Sequence, residues 1–340
     1  MSLTPQAAIV PAPRFDARPL ALLGAIAVLA LPLVGDTANW ATLTLAGLAM
    51  GMIVFVIASG LTLVFGLMDV LNFGHGVFIA LGAFMATTVL AAMGAAGGWA
   101  ARDSLAANLG AVAAAGTAGM LVAAAAGLVF ERVLVRPVYG QHLKQILVTT
   151  GGMIIGEELI KLAWGPQMVA LPLPPALAGV LLLPGDVTLE KLRLLAMLVG
   201  LLVLAGLLLV LNRTKLGLLI RAGVLDREMV EALGYPIRRL FVGVFAVGAA
   251  LAGLGGALWG LYQQAVTPQI GAQLNTLIFI VIIIGGLGST LGCFVGALGV
   301  GLLANYAGFL APKAALFSTI ALMVAVLLWR PQGLYPVGAK

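Results

Sequence analysis

The stretch Gly60-Leu-Thr-Leu-Val-Phe-Gly-Leu-Met-Asp-Val-Leu-Asn-Phe-Gly-His-Gly-Val-Phe78 lies inside an apolar run from 41 to 93 and interrupts it with Asp69, Asn72 and His75. A bilayer core of roughly 30 Å takes about 20 apolar residues per helical crossing. The run is too long for one helix, so it divides into two spans near 42–66 and 74–93, with a break at Met68 to Asn72. Irregular backbone at membrane depth is tolerated only where it is buried in protein or lines a polar cavity. Two readings of the break stand side by side. One is a helix break beside a translocation path; the other is a cytoplasmic hairpin in which Asp69 or Asn72 caps the following helix.

Outward from this stretch the same pattern repeats. The 340 residues are 62% hydrophobic and 9% charged, with a mean hydropathy of +1.15. The 45 glycines sit inside apolar runs, as in packed membrane helices, not in the polar context of disorder. Further spans are expected near 20–35, 108–130, 145–164, 191–211, 240–262, 276–291, 293–310 and 315–329. The expected fold is all-α: a polytopic transmembrane helical bundle of about 8 to 10 spans with Gly-rich breaks. The net charge of +6 is scattered between the runs and forms no basic stripe, so no nucleic-acid partner is expected. Its use is orientation: with the N-terminus inside and ten crossings, 13 of the 18 Lys and Arg residues fall on the cytoplasmic side, and the C-terminus also lies inside. This gives a cytoplasmic segment 1–19, one transmembrane domain 20–330 and a cytoplasmic tail 331–340. A cleavable signal at the first run is the rival reading, but no small-residue cleavage site stands before Asp36.

Soluble-enzyme signatures are absent: no G-x-x-x-x-G-K-[ST], H-E-x-x-H or G-x-S-x-G. No enzymatic activity, bound cofactor or metal is expected of this chain, and Cys293 and His75 have no nearby partner to ligate a metal. Gly253-Leu-Gly-Gly and the pairs Gly47/Gly51, Gly256/Gly260 and Gly292/Gly296 fit close helix packing. Glu157, Glu158 and Lys161 fall in the outer half of one span, where an ionisable residue costs about 2.5–3.5 kcal/mol. Lys161 is placed to pair with one of the carboxylates. The other is left to face a cavity, meet a neighbouring helix, or lie at the outer interface. The tract Ile284-Gly-Gly-Leu-Gly-Ser-Thr-Leu-Gly is a second break, since each glycine weakens a helix by roughly 1 kcal/mol relative to Ala.

Two stretches are hydrophilic. From Gly165 to Lys191, five prolines and few charges predict an ordered or partly embedded outer loop. From Asn212 to Arg239 runs the most charged stretch of the chain, taken to be cytoplasmic. There Asp226 is a good N-cap for a short helix at 227–233, which Gly234 and Pro236 stop. Arg227, Glu228 and Glu231 would form its solvated side and Met229, Val230 and Leu233 its apolar side. Such a helix either docks in the groove of a soluble partner or is a solvated connector.

Several of these motifs occur together and in order. The segment Gly60 to Phe84, the run Val148-Thr-Thr-Gly-Gly-Met-Ile-Ile-Gly-Glu-Glu-Leu-Ile-Lys-Leu-Ala-Trp-Gly165, the loop Arg213 to Gly234, the tract Gly285-Gly-Leu-Gly-Ser and the closing Arg330-Pro-Gln-Gly-Leu-Tyr resemble LivH-type permeases of branched-chain amino acid ABC importers. The likeness covers nearly the whole chain after residue 40. It implies that the helix with Asp226, Arg227, Glu228, Glu231, Ala232 and Gly234 couples to an ATPase, although Leu233 stands where relatives often have a second Ala. It also implies a LivM-like second permease, two ABC ATPase subunits that use ATP, an extracytoplasmic substrate-binding protein and a bacterial inner-membrane location. By the same resemblance the segments 60–84 and 285–292 border the central path, which makes Asn72, Phe73, His75, Gly76, Gly285, Gly286 and Gly288 candidates, with Glu157 beside them. Relatives of this kind also carry urea, other amides and small carboxylates. The rival functions are an ion-coupled secondary transporter built on Glu157, Glu158 and Lys161, and a structural or channel subunit.

Overall fold

The computed structural model describes residues 17–225 and 227–336. Twelve α-helices among them account for nearly all of the structure: α1 Arg18–Val34, α2 Thr37–Met68, α3 His75–Gly94, α4 Leu105–Phe130, α5 His142–Trp164, α6 Lys191–Arg213, α7 Lys215–Leu225, α8 Arg227–Ala232, α9 Ile237–Gln263, α10 Ile270–Gly285, α11 Thr290–Leu310 and α12 Ala315–Trp329. Ten of these answer the ten apolar runs. Six of the segments are long and apolar enough to cross a membrane, and α1, α10 and the apolar part of α12 are shorter apolar helices. The chain is a multi-pass helical membrane protein.

Helix α2 is the axis. Ile53, Val54, Phe55, Val56, Ile57 and Ala58 have no exposed surface, so every face of the helix is covered there. It packs against α9, α11 and α6, while α3 and α4 pack on α9. Lipid gives helices no hydrophobic reason to associate, so close backbone approach must hold the bundle. Glycine supplies it: Gly82 of α3, Gly119 of α4 and Gly253 of α9 meet at one crossing, where a Cβ on Gly253 would come within 2.5 Å of the Gly119 carbonyl oxygen. The expected packing role of the Gly253 to Gly256 run is what the structure shows. Asp36 caps α2 by accepting from the amides of Ala38 and Asn39, which starts that helix earlier than residue 42.

The second Gly-rich tract differs from expectation in its boundaries. The helix expected over 276–291 runs instead from Ile270 to Gly285, and the next begins at Thr290. Gly286 and Gly288 have φ of +95° and +78°, left-handed conformations that a helix cannot continue through. Ser289 then restarts the chain by accepting the Gly292 amide at 3.1 Å.

The loop after α5 is ordered, as its prolines predict. Strand β1 (Val169–Ala170) pairs antiparallel with β4 (Ala265–Val266), and β2 (Val180–Leu183) with β3 (Val187–Glu190). Asn108 fastens this loop to the bundle. Its side chain donates to the carbonyls of Trp99 and Arg102 and accepts the Ala176 amide.

Candidate functional site at the re-entrant break

Helix α2 ends with Asp69 in the left-handed region at φ +52°. The chain then turns back along the helix it has just left. Six residues later the His75 Nε2 lies 3.3 Å from the Ile57 carbonyl oxygen, and Ile57 is eleven residues, about 16 Å, before the end of α2. Beyond the exposed Asp69 the break is thus a re-entrant segment, largely enclosed by protein, and α3 begins part-way up α2. Of the hairpin reading, the N-cap roles of Asp69 and Asn72 do not hold: Asp69 is the C-cap of α2. Asn72 does not N-cap α3: Gly74 occupies that position, and the Asn72 Oδ1 accepts the Gly74 amide at 3.0 Å in a local turn. Asp69 is exposed and lies 3.7 Å from the His142 Nε2.

An enclosed irregular segment must find partners for its backbone groups. Helices α5 and α10 supply them. The Leu71 amide donates to Gln145 Oε1 at 3.3 Å and the Phe73 amide to Thr149 Oγ1 at 3.1 Å. Asn275 Nδ2 donates to the Phe73 carbonyl oxygen at 2.8 Å. The Phe73 ring stacks on Phe279 with centroids 4.6 Å apart. Gly76 meets Gly271 at the start of α10, where a Cβ on Gly76 would stand 2.5 Å from the Gly271 oxygen and 2.6 Å from Met153 Cε. Reading the sequence missed Gln145, Thr149 and Asn275. Their signal was there in part, because Gln145 and Thr149 stand four apart on one face of an otherwise apolar helix.

Side-chain groups left over at this point are unusual. Asn72 Nδ2, His75 Nδ1, Gln145 Nε2 and Asn275 Oδ1 are buried without a hydrogen-bond partner. Asn72 and His75 are wholly enclosed, whereas Phe73 and Asn275 are half-buried at the edge of the segment.

The structure does not bring Glu157 to Asn72 or His75. It lies eight residues beyond Thr149 on α5, about 12 Å along the axis. The carboxylate that the sequence left over is also accounted for: Lys161 Nζ lies 3.0 Å from Glu157 and 2.8 Å from Glu158 and serves both. Gly285, Gly286 and Gly288 form a separate joint. Gly288 packs on Gly66 of α2, and the amides of Leu334 and Tyr335 donate to the carbonyls of Ile284 and Gly285 at 2.9 and 3.0 Å. The closing motif is therefore a strap across the second break, tied by Arg330, whose guanidinium donates to the Leu334 oxygen at 3.1 Å.

A family model described as "Branched-chain amino acid transport system / permease component" matches residues 43–328. The chain belongs to that family. It is 30% identical over 303 residues to the high-affinity branched-chain amino acid transport system permease protein BraD of Pseudomonas aeruginosa, covering 85% of this chain and 93% of that one. It is 28% identical over 299 residues to the permease protein LivH of Escherichia coli K12, covering 85% and 92%. A shorter match, 28% over 115 residues, joins it to LivM of the same bacterium and covers 33% of this chain and 26% of that protein. No solved structure matches it.

In this permease the charged loop after α6 folds into α7 and α8. Asp226, the expected N-cap, lies outside the described residues. The expected stop holds: Gly234 has φ +88°, and the amides of Leu233 and Gly234 donate back to Met229 and Glu231. The apolar side does not stay together. Val230 turns into the bundle, while Met229, Leu233 and Tyr235 are exposed in company with Glu231 and Ala232. A short, well-stopped helix with exposed apolar and acidic groups is what the permease presents there.

Proposed function

We propose that this chain is a membrane-spanning permease subunit of an ABC importer in the bacterial inner membrane, passing branched-chain or related amino acids inward by alternating access. The observation that carries this reading is the likeness to BraD and LivH over 85% of the chain. ATP is bound and hydrolysed by two separate ATPase subunits, not by this chain, and an extracytoplasmic binding protein selects and delivers the substrate. The second permease is LivM-like. The loop 212–239 lies on the cytoplasmic side, and α8 docks on an ATPase through its exposed Met229, Glu231 and Leu233, with Arg227 and Glu228 as further coupling residues. The re-entrant segment with Asn72, Phe73, His75 and Gly76 borders the path, and the glycine joint at 285–288 lets α10 and α11 shift against α2.

The test is co-purification and uptake. With α8 intact, the ATPase pair stays with the permease through gentle detergent extraction, and vesicles holding all subunits take up leucine, isoleucine or valine only with ATP. The double charge reversal Arg227→Glu with Glu231→Lys releases the ATPases. Uptake by this chain alone, driven by an ion gradient and indifferent to ATP, would overturn the reading in favour of a secondary transporter. If the partner binding protein instead prefers an amide such as urea or a small carboxylate, the substrate class changes and the importer assignment stands.

A further inference from the structure

The exposed faces of the helices differ in a way that the assignment above leaves unexplained. Helix α6 exposes Leu194, Leu198, Leu201 and Leu202, a surface suited to lipid tails. Helix α10 is covered by α3, α11, α12 and α2 on its other sides, and what it leaves open is a mainly polar stripe, Gln269 at its N-cap, then Ala272, Gln273 and Thr276. An amide side chain moved into hydrocarbon without a partner costs several kcal/mol. This stripe is therefore not a lipid-facing surface.

The stripe also adjoins the re-entrant segment. Asn275, between Gln273 and Thr276 in sequence, holds the Phe73 carbonyl oxygen, and Phe279, one turn beyond Thr276, stacks on the Phe73 ring. The buried Asn275 Oδ1 has no protein partner, and neither have Asn72 Nδ2 and Gln145 Nε2 in the same shell. Buried polar atoms left open in this way are ordinarily satisfied by water or a ligand. We infer that Gln269, Gln273 and Thr276, with Phe73 beside them, form the wetted wall of the substrate path, and that the two glutamine amides take the charged groups of a small zwitterion.

The chemistry fits passage better than capture. A primary amide donates to a carboxylate and accepts from an ammonium group, so one residue type serves both ends of the zwitterion. Having no charge, it holds neither end tightly, and conduction needs contacts favourable enough to enter and weak enough to leave. The stacked Phe73 and Phe279 rings offer an apolar surface to the side chain of the passing molecule. Asn72 and His75 stand behind this wall and hold its shape.

This inference rests on the importer reading, and the experiment separates the two. Cysteine is placed singly at Gln273, Thr276 and, as a lipid-facing reference, Leu201, in a chain carrying Cys293→Ala, and each is assembled with all partner subunits in vesicles. The probe is a membrane-impermeant cationic methanethiosulfonate, with labelling read by mass and uptake read with leucine, isoleucine and valine. Gln273→Cys and Thr276→Cys are expected to label roughly tenfold faster than Leu201→Cys, because the reactive thiolate forms in water and not in lipid. Their labelling abolishes uptake, and labelling at Leu201→Cys leaves uptake unchanged. Labelling of the stripe at the Leu201 rate overturns the inference and shows that the face is covered by lipid or another subunit, and fast labelling without effect on uptake overturns it too, placing the stripe on a water-exposed surface outside the path. Retained ATPase subunits and ATP-driven uptake before labelling keep the importer reading intact in that case. If Cys293→Ala does not assemble, the same cysteines go into the natural chain, where Cys293 is buried and the unsubstituted protein sets the blank.

Discussion

Thr149 shows how much one hydroxyl decides. It accepts the Phe73 amide and in turn donates to the Gln145 carbonyl oxygen, so it joins the re-entrant segment to α5. Thr149→Val keeps the shape and removes the acceptor, leaving an enclosed amide unpaired at a cost of about 1–3 kcal/mol. The purified protein should melt at a lower temperature, and Thr149→Ser should restore the natural value; equal melting of all three would show that the segment does not depend on this bond. Glycines separate by the same reasoning. Gly253→Val forces a side chain into the backbone of α4, and overpacking of this kind costs about 1–3 kcal/mol or more, so folded yield should fall sharply. Gly206 of α6 has open space around it, and Gly206→Ala should leave yield unchanged or raise it, since such a change stabilises by about 0.4–1 kcal/mol.

At the scale of elements, the two breaks are built differently. The first is irregular backbone satisfied by side chains of α5 and α10. The second is a sharp glycine joint held by main-chain bonds from the strap at 330–335. Gly333 has φ +86° and packs against Gly286, so Gly333→Val cannot keep both the conformation and the contact. In that variant the Leu334 and Tyr335 amides should lose hydrogen-exchange protection, with faster exchange spreading to Gly285 and Gly286. Unchanged protection would mean that the strap is held by its flanks and not by this turn. The elements also mark the limit of periodicity: α10 and α11 were legible as apolar runs, but the residue at which one ends and the other starts was set by two left-handed glycines and a serine cap.

For the whole molecule, the axial position of α2 ties the parts together. Its middle is covered on all sides, His75 folds back on it, and Gly66 near its end receives Gly288. Both breaks therefore rest on the same helix. The charge reversal of Arg227 and Glu231 belongs to this scale: it should release the ATPases while the melting temperature of the isolated permease stays the same. A fall in melting temperature together with the release would point to damage within the bundle instead.

By itself the sequence determined that this is a membrane protein of many apolar helices, that two polar or glycine-rich interruptions divide them, and that a short helix ending at Gly234 stands in the most charged loop. Those features depend on local composition and on the roughly 20-residue length of a crossing, so they can be read along the chain. Only the tertiary structure decided that the first break turns back into the bundle, that Lys161 serves both carboxylates, and that the polar stripe of α10 is left uncovered. The physical reason is that enclosed backbone groups must be paired, and the partners of Leu71 and Phe73 lie 74, 76 and 202 residues away. Which face of a helix stays open likewise depends on the neighbours that pack against it, and no local pattern names them.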